Sequence, residues 1–301
     1  MPTAHLTDRA VVQVHGEDAQ SFLQGLVTCN VETLRPGEAR LGALLSPQGK
    51  VQFDFLVVFA PEGGQAFSSF GGGYFLDCRA DLVPDLVKRL NLYKLRSKVA
   101  IRHVFENDEP LGVAAAWGDD RVRQMDALEV ADSRLPALGE RFYLWAHDAA
   151  AIASVDEPDY HAHRIALGVP EGGRDFALND AFPHEALMDQ LGGVDFKKGC
   201  YVGQEVVSRM QHRGTARTRI LPLVFTEGPA PAPGTEVMAG ARSLGVVGST
   251  AGGRGLATIR LDRLGDALAA GEPVRAGGSV AGVEKPAFAT FAFPTDTAAA
   301  G

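Results

Sequence analysis

The sequence predicts an α+β body followed by a C-terminal β-barrel, and three observations carry that reading. Before Arg219, strands of period-two alternation are interspersed with segments of helical spacing. A hairpin turn, Ser46-Pro47-Gln48-Gly49-Lys50, joins two of those strands. After Arg219 the chain changes to short apolar runs separated by Gly and Pro, the rhythm of a small closed or nearly closed barrel. At 301 residues and 46% hydrophobic, the chain can bury one large core or two to three smaller ones. The expected division is a body of two interlocked sheet-and-helix subdomains over 1–215, a barrel over 216–294, and a small-residue disordered tail over 295–301.

Taken in order, Ala10 to His15 reads as a strand, and Gly16-Glu17-Asp18 turns into a helix striped by Phe22, Leu23, Leu26 and Val27. Leu41 to Leu45 and Val51 to Phe59 flank the hairpin turn. In the second of these, Val51, Phe53, Phe55, Val57 and Phe59 share one face, which places Gln52 and Asp54 on the other. Asp54 by itself reads as a solvated strand residue. Gly63-Gly64 and Gly71-Gly72-Gly73 punctuate the next strands, and no lysine follows to make the triple glycine a phosphate loop. Ala80 to Leu92 is an amphipathic helix built on Leu82, Leu86 and Leu90, with Pro84 in its first turn. Tyr93 to Val99 is a basic, solvated helix end.

Val99 to Val104, Leu111 to Ala116 and Phe142 to Ala146 read as strands of a second sheet, with a polar, loop-rich stretch between them. A short helix over Ala149 to Val155 precedes another that opens at Tyr160 and ends at Gly168-Val169-Pro170. His161 and His163, two apart on that helix, point away from each other and do not share a metal. The barrel strands are expected at 220–225, 235–239, 243–249, 255–261, 273–276, 279–283 and 288–293.

Bulk properties narrow the function. A net charge of −8 argues against direct nucleic-acid binding. No apolar run approaches the roughly 20 residues that span a bilayer. No secretory or organellar leader pattern is evident, and the expected location is cytoplasmic. Cys29, Cys78 and Cys200 are far apart with no CxxC pair, which argues against a disulfide framework and a structural zinc site. Three thiols also fall short of the usual four ligands of a cluster held by one chain.

The chemical interest concentrates between Gly192 and Arg219. Lys197 to Arg219 carries six lysines and arginines, with Glu205 as its only acid, in an acidic protein. That reversal points to an anionic ligand or partner. Gly199 and Gly203 permit tight or left-handed backbone around Cys200. Gln204 to His212 has helical spacing, so Cys200 lies just before a helix N-terminus. A thiol set there beside Lys198 ionises more readily than a free one. The plainer reading of Cys200 is a small buried hydrophobe.

Lys198-Gly199-Cys200-Tyr201-Val202-Gly203-Gln204-Glu205, with Leu191-Gly192-Gly193 before it and Arg213-Gly214 after it, resembles the signature of the YgfZ-type folate-binding proteins. These are relatives of the glycine-cleavage T-protein (aminomethyltransferase) that assist iron–sulfur cluster assembly or repair, including the support of tRNA modification. Weaker similarity runs from Asp8 to Phe293. The resemblance implies three parts arranged as a ring around a tetrahydrofolate, contacted by Asp54, Tyr160, Phe182, Glu185 and Arg213. It implies that Cys200 acts as thiolate ligand, sulfur acceptor or redox contact for iron–sulfur enzymes or cluster carrier proteins. Lys198 and the helix start would stabilise the thiolate, Gly199 and Gly203 shape the loop, Tyr201 cover the thiol, and Gln204 or Glu205 satisfy the helix start. The chain departs from the family at Phe53, where a second acid is expected, at Ala166 in place of a glutamate, and at Arg9 in place of an aromatic. Phe53 and Ala166 weigh against the alternative of aminomethyl or demethyl transfer. A further alternative is a module that docks tRNA or another anionic partner on the basic stretch.

Overall fold

The computed structural model describes residues 1–61, 72–106, 108–118, 127–214 and 216–294. The glycines at 63, 64 and 71 and the tail expected over 295–301 lie outside the described residues. Contacts divide the chain into two compact units. One comprises Met1–Gln48, Gln52–Tyr160 and Leu191–Gln204, and the other Gly49–Val51, His161–Gln190 and Glu205–Gly301. This division differs from the expected single cut near 215, because the hairpin tip and residues 161–190 group with the barrel.

The first unit is built on β1 (Thr3–His5), β2 (Arg9–His15), α1 (Ala19–Gln24), β3 (Glu38–Leu45), β4 (Val51–Ala60), β5 (Gly73–Arg79) and α2 (Val83–Lys94). It continues with β6 (Ala100–His103), β7 (Phe105–Glu106), β8 (Glu109–Ala116), β9 (Leu128–Asp132), β10 (Glu140–Trp145) and α3 (Ala146–Ile152). The strands form one ten-stranded sheet in the order β1-β8-β10-β9-β3-β4-β5-β2-β6, with β7 on β8. The strands expected in a second sheet therefore belong to the first. The link is β9, which lies parallel to β3 and antiparallel to β10. Its sequence, LEVAD, carries two acids in five residues and hides its alternation.

On the sheet, Val12, Val14, Phe55, Val57 and Leu76 meet Phe22 and Leu23 of α1 and Leu86 and Leu90 of α2 in one buried cluster. Each such side chain contributes roughly 1.5–3 kcal/mol by leaving water. Gly16 is required where the chain leaves β2: its φ is +121°, and a Cβ there would lie 2.3 Å from the Lys98 carbonyl oxygen. No helix among the described residues is long and apolar enough to cross a membrane.

Along the chain, α4 (Glu157–Ala166) and α5 (Gln204–Arg213) precede the barrel strands. The barrel closes through β11 (Thr218–Glu227), β12 (Glu236–Ala239), β13 (Arg242–Ala251), β14 (Arg254–Arg260), β15 (Val274–Ala276) and β16 (Ser279–Val283), with α6 (Leu261–Ala269) between β14 and β15. Its order is β11-β14-β13-β12-β15-β16, and β16 pairs back on β11. The strand expected at 288–293 does not form; Phe293 instead packs into the barrel core and Phe291 against it. Helix α6 was masked by its central Gly265, yet it buries Leu264 and Ala267 on the barrel.

Arg164, 1% exposed, ties α4 to β13. Its guanidinium donates to Asp175 Oδ2 at 2.6 Å, the Val169 carbonyl at 3.1 Å and Ser249 Oγ at 2.9 Å. Asp175 in turn accepts from the Glu171 and Ser249 amides. Removing one partner of such a pair strands a buried charge. Asp175→Ala is expected to lower stability by about 3–5 kcal/mol, read from the urea midpoint, whereas a loss below about 1 kcal/mol would show the pair to be dispensable.

Candidate functional site

The loop that carries Cys200 is fastened to the segment after α1. Thr28 exchanges hydrogen bonds with β3, its amide donating to the Ala43 carbonyl and its Oγ1 accepting from the Ala43 amide at 2.9 Å. The same hydroxyl donates to the Gly193 carbonyl at 2.6 Å, and the Thr28 carbonyl accepts the Asp195 amide at 3.0 Å. Asp195 Oδ1 then accepts the amides of Lys197 at 2.7 Å and Lys198 at 3.1 Å. The Lys198 ammonium reaches inward to the carbonyls of Val27 and Cys29, both at 2.7 Å. Lys198 thus acts as a buried clamp, and burial pushes its ammonium down to about 8 against the fields of Cys29 and Asp195. Tyr201 is also turned inward: its ring lies 5.3 Å from the Lys198 ammonium, and its hydroxyl is buried with no hydrogen-bond partner among the described residues.

Cys200 itself is exposed, whereas Cys29 is 1% and Cys78 0% exposed. Burial pushes the Cys29 thiol up to about 11, with Lys198 pulling the other way, and the Cys78 thiol up to about 12. Gly42 makes room for Cys29; a Cβ there would lie 2.8 Å from the sulfur. Gly203, at φ +80°, makes the left-handed turn into α5. Gly199 has no positive φ, and a Cβ there would meet nothing within 4 Å. Gln204 is half-buried, and Glu205 is exposed in the first turn, where a carboxylate complements the helix dipole. A hollow of about 310 Å³ lies beside the loop, lined by Asn30, Arg40, Asp195, Phe196 and Lys197 among others.

The residues expected at a folate divide between the two units. In the first, Asp54 and Gln52 are half-buried on one face of β4, as the alternation predicts. Phe53 is in the core cluster, so an acid at that position would be buried. Tyr160 is 2% exposed and committed: its hydroxyl accepts from Arg141 at 2.5 Å and Arg134 at 3.1 Å, and its ring meets Trp117. The arginines continue inward to Asp132 and Asp77, and Arg9 Nε donates to Asp77 at 2.7 Å. The tyrosine expected to touch a ligand thus sits within a buried ionic network. In the second unit, Glu185 Oε2 accepts the Phe182 amide at 2.8 Å, and the Lys50 ammonium lies 3.6 Å from the Phe182 ring centre. Residues 183–192 are consecutive turns, so Glu185 does not start a helix. Arg213 is exposed at the end of α5.

The cationic stretch likewise resolves into two classes. Lys198 and Arg219 are buried, the latter held by Asp189 and the His184 carbonyl, while Lys197, Arg209, Arg213 and Arg217 are exposed. Thr28 and Asp195, which fix the loop, carried no signal in the sequence, because the Gly193 carbonyl that Thr28 reaches is 165 residues away and leaves no local pattern.

Two outcomes follow for the clamp. Folded Lys198 loses its proton near pH 8 and an unfolded lysine near 10.4, so the native state binds fewer protons between those values. The burial penalty is full below pH 8 and relieved as pH rises through that window; Lys198→Met is expected to flatten this rise in a stability–pH series, and an unchanged rise would contradict it. Gly203→Ala is expected to cost about 1–2 kcal/mol and Gly199→Ala close to nothing, by thermal melting; equal costs would contradict the turn geometry.

Residues 217–291 match the family model described as the CAF17 C-terminal beta-barrel domain. The chain is 34% identical over 301 residues to the mitochondrial iron-sulfur cluster assembly factor IBA57 homolog of Pyricularia oryzae, covering 90% of this chain and 75% of that protein. It is 34% identical over 244 residues to the homolog of Neurospora crassa, with 75% of this chain covered but only 54% of the relative's length. Among solved structures, the glycine cleavage system aminomethyltransferase T of Bartonella henselae shares the fold, with a TM-score of 0.70 at 15% identity over 97% of this chain and 87% of that one. The cytoplasmic location expected from the sequence is corrected by the relatives, whose names place them in the mitochondrion. Identity and coverage together show that the chain belongs to the IBA57 family of iron–sulfur cluster assembly factors.

Proposed function

We propose that this chain assists the assembly or repair of iron–sulfur clusters in other proteins, with Cys200 as the residue that meets the cluster. The observation that carries the reading is the contrast among the thiols: two are buried and held protonated, and one is exposed on a clamped loop. Clusters are held by thiolates, usually four. A chain with one accessible thiol supplies one ligand, so the others come from an iron–sulfur enzyme or cluster carrier bound beside it. The names of the relatives support the same role.

The finer part of the proposal is tetrahydrofolate, in keeping with the YgfZ-type signature around Cys200. When bound it supplies a reduced pterin and an anionic glutamate tail. Asp54, in the first unit, would accept a pterin N–H. Tyr160 positions Arg134 and Arg141 and touches no ligand in this reading.

A deletion strain scored for several iron–sulfur enzyme activities tests the role. Wild type is expected to restore them and Cys200→Ser to fail while remaining folded; full rescue by Cys200→Ser would remove the thiol from the mechanism. Calorimetry with tetrahydrofolate tests the finer part. Binding weakened about tenfold or more by Asp54→Ala is expected, and no heat at millimolar ligand would remove folate from the account.

A further inference from the structure

A separate surface of the first unit lies where α2 ends. Leu95 follows Lys94 with φ +43° and ψ −104°, a conformation that L side chains rarely adopt. Glycine adopts positive φ without a side-chain penalty. A leucine there costs about 1–2 kcal/mol. Burial does not offset this, because Leu95 is 90% exposed; Leu92, one turn earlier, is 62% exposed. Lys88, Arg89, Lys94 and Arg96 lie within a few residues of the two leucines and have no ion-pair partner among the described residues, while Lys98 pairs with Glu17. A hollow of about 710 Å³ opens alongside, lined by Asp18, Tyr93, Leu95, Arg96 and Ser97.

We propose that this surface docks an acidic segment of a partner protein that also presents an apolar side chain. The cations form a local reversal in a chain of net charge −8, so they complement an acidic partner and not the protein's own average surface. The hollow is within the range of about 300–1,000 Å³ in which small groups are held. Its shape suits a side chain from a protein, since a bilayer surface makes no use of a recess. Leu95 keeps its strained backbone because its side chain acts outside the fold. The surface is independent of the Cys200 reading and stands or falls separately.

The test uses the full chain and a fluorescein-labelled peptide of glutamates and leucines, EELLEELLEE, followed by anisotropy. Wild type is expected to bind it, with affinity falling as salt rises. Leu95→Gly is expected to weaken binding about tenfold or more while raising the melting temperature, because glycine relieves the backbone. Arg96→Glu is expected to weaken binding at low salt. The proposal is overturned if wild type does not bind the peptide, or if Leu95→Gly binds as tightly as wild type. It is also overturned if Leu95→Gly melts lower, which would make the leucine structural. Capture of the chain by phosphatidylcholine–phosphatidylglycerol vesicles without peptide binding would overturn it in favour of a membrane surface.

Discussion

An ammonium group buried between two backbone carbonyls holds the candidate site together. Lys198 spans from the Cys200 loop to Val27 and Cys29, and the Thr28–Gly193 and Thr28–Asp195 bonds run beside it. Thr28 is itself fixed to β3 through Ala43, so the loop takes its position from the ten-stranded sheet. Desolvation makes this clamp costly, as the depressed lysine pKa shows, and the carbonyl bonds offset that cost. The result is a thiol whose position is set by rigid elements although it stands on a loop without regular structure.

The same unit sorts its polar groups by burial. Cys29 and Cys78 are enclosed and chemically quiet, and Cys200 alone among the three is presented to solvent. Asp77 and Asp132 pair with Arg9, Arg134 and Arg141, and the Tyr160 hydroxyl accepts from two of these arginines. Burial pushes the Asp132 carboxyl up, but Arg134 and Arg141 outweigh it and hold it below the usual range. Groups so paired are fixed internal supports. That explains why two positions that differ from or match the folate-binding pattern, Arg9 and Tyr160, belong to one physical arrangement.

Much of the fold was legible because it follows from local pattern. The alternation in β4 gave the faces of Phe53 and Asp54, the leucines of α2 gave its buried side, and the Gly–Pro rhythm after β11 gave the barrel. What was not legible depends on distant partners. β9 forms because β3 and β10 flank it, although its acids obscure the alternation. Residues 288–293 look like a strand but complete the barrel core as an irregular segment carrying Phe293. At the candidate site, the sequence anticipated the left-handed turn at Gly203, while Gly199 has no positive φ. It misassigned the direction of Lys198 and Tyr201, because a lysine next to a cysteine in sequence has no obligation to point at it.

The claim most exposed to refutation is that Cys200 supplies a cluster ligand in a complex with a second protein. Anaerobic native mass spectrometry of the full chain, mixed with a purified carrier loaded with a two-iron cluster, measures this directly. The account predicts a mixed complex whose mass includes the iron and sulfide for wild type, and its loss in Cys200→Ser. A cluster-containing complex of the same abundance in Cys200→Ser, or none with wild type, would contradict it.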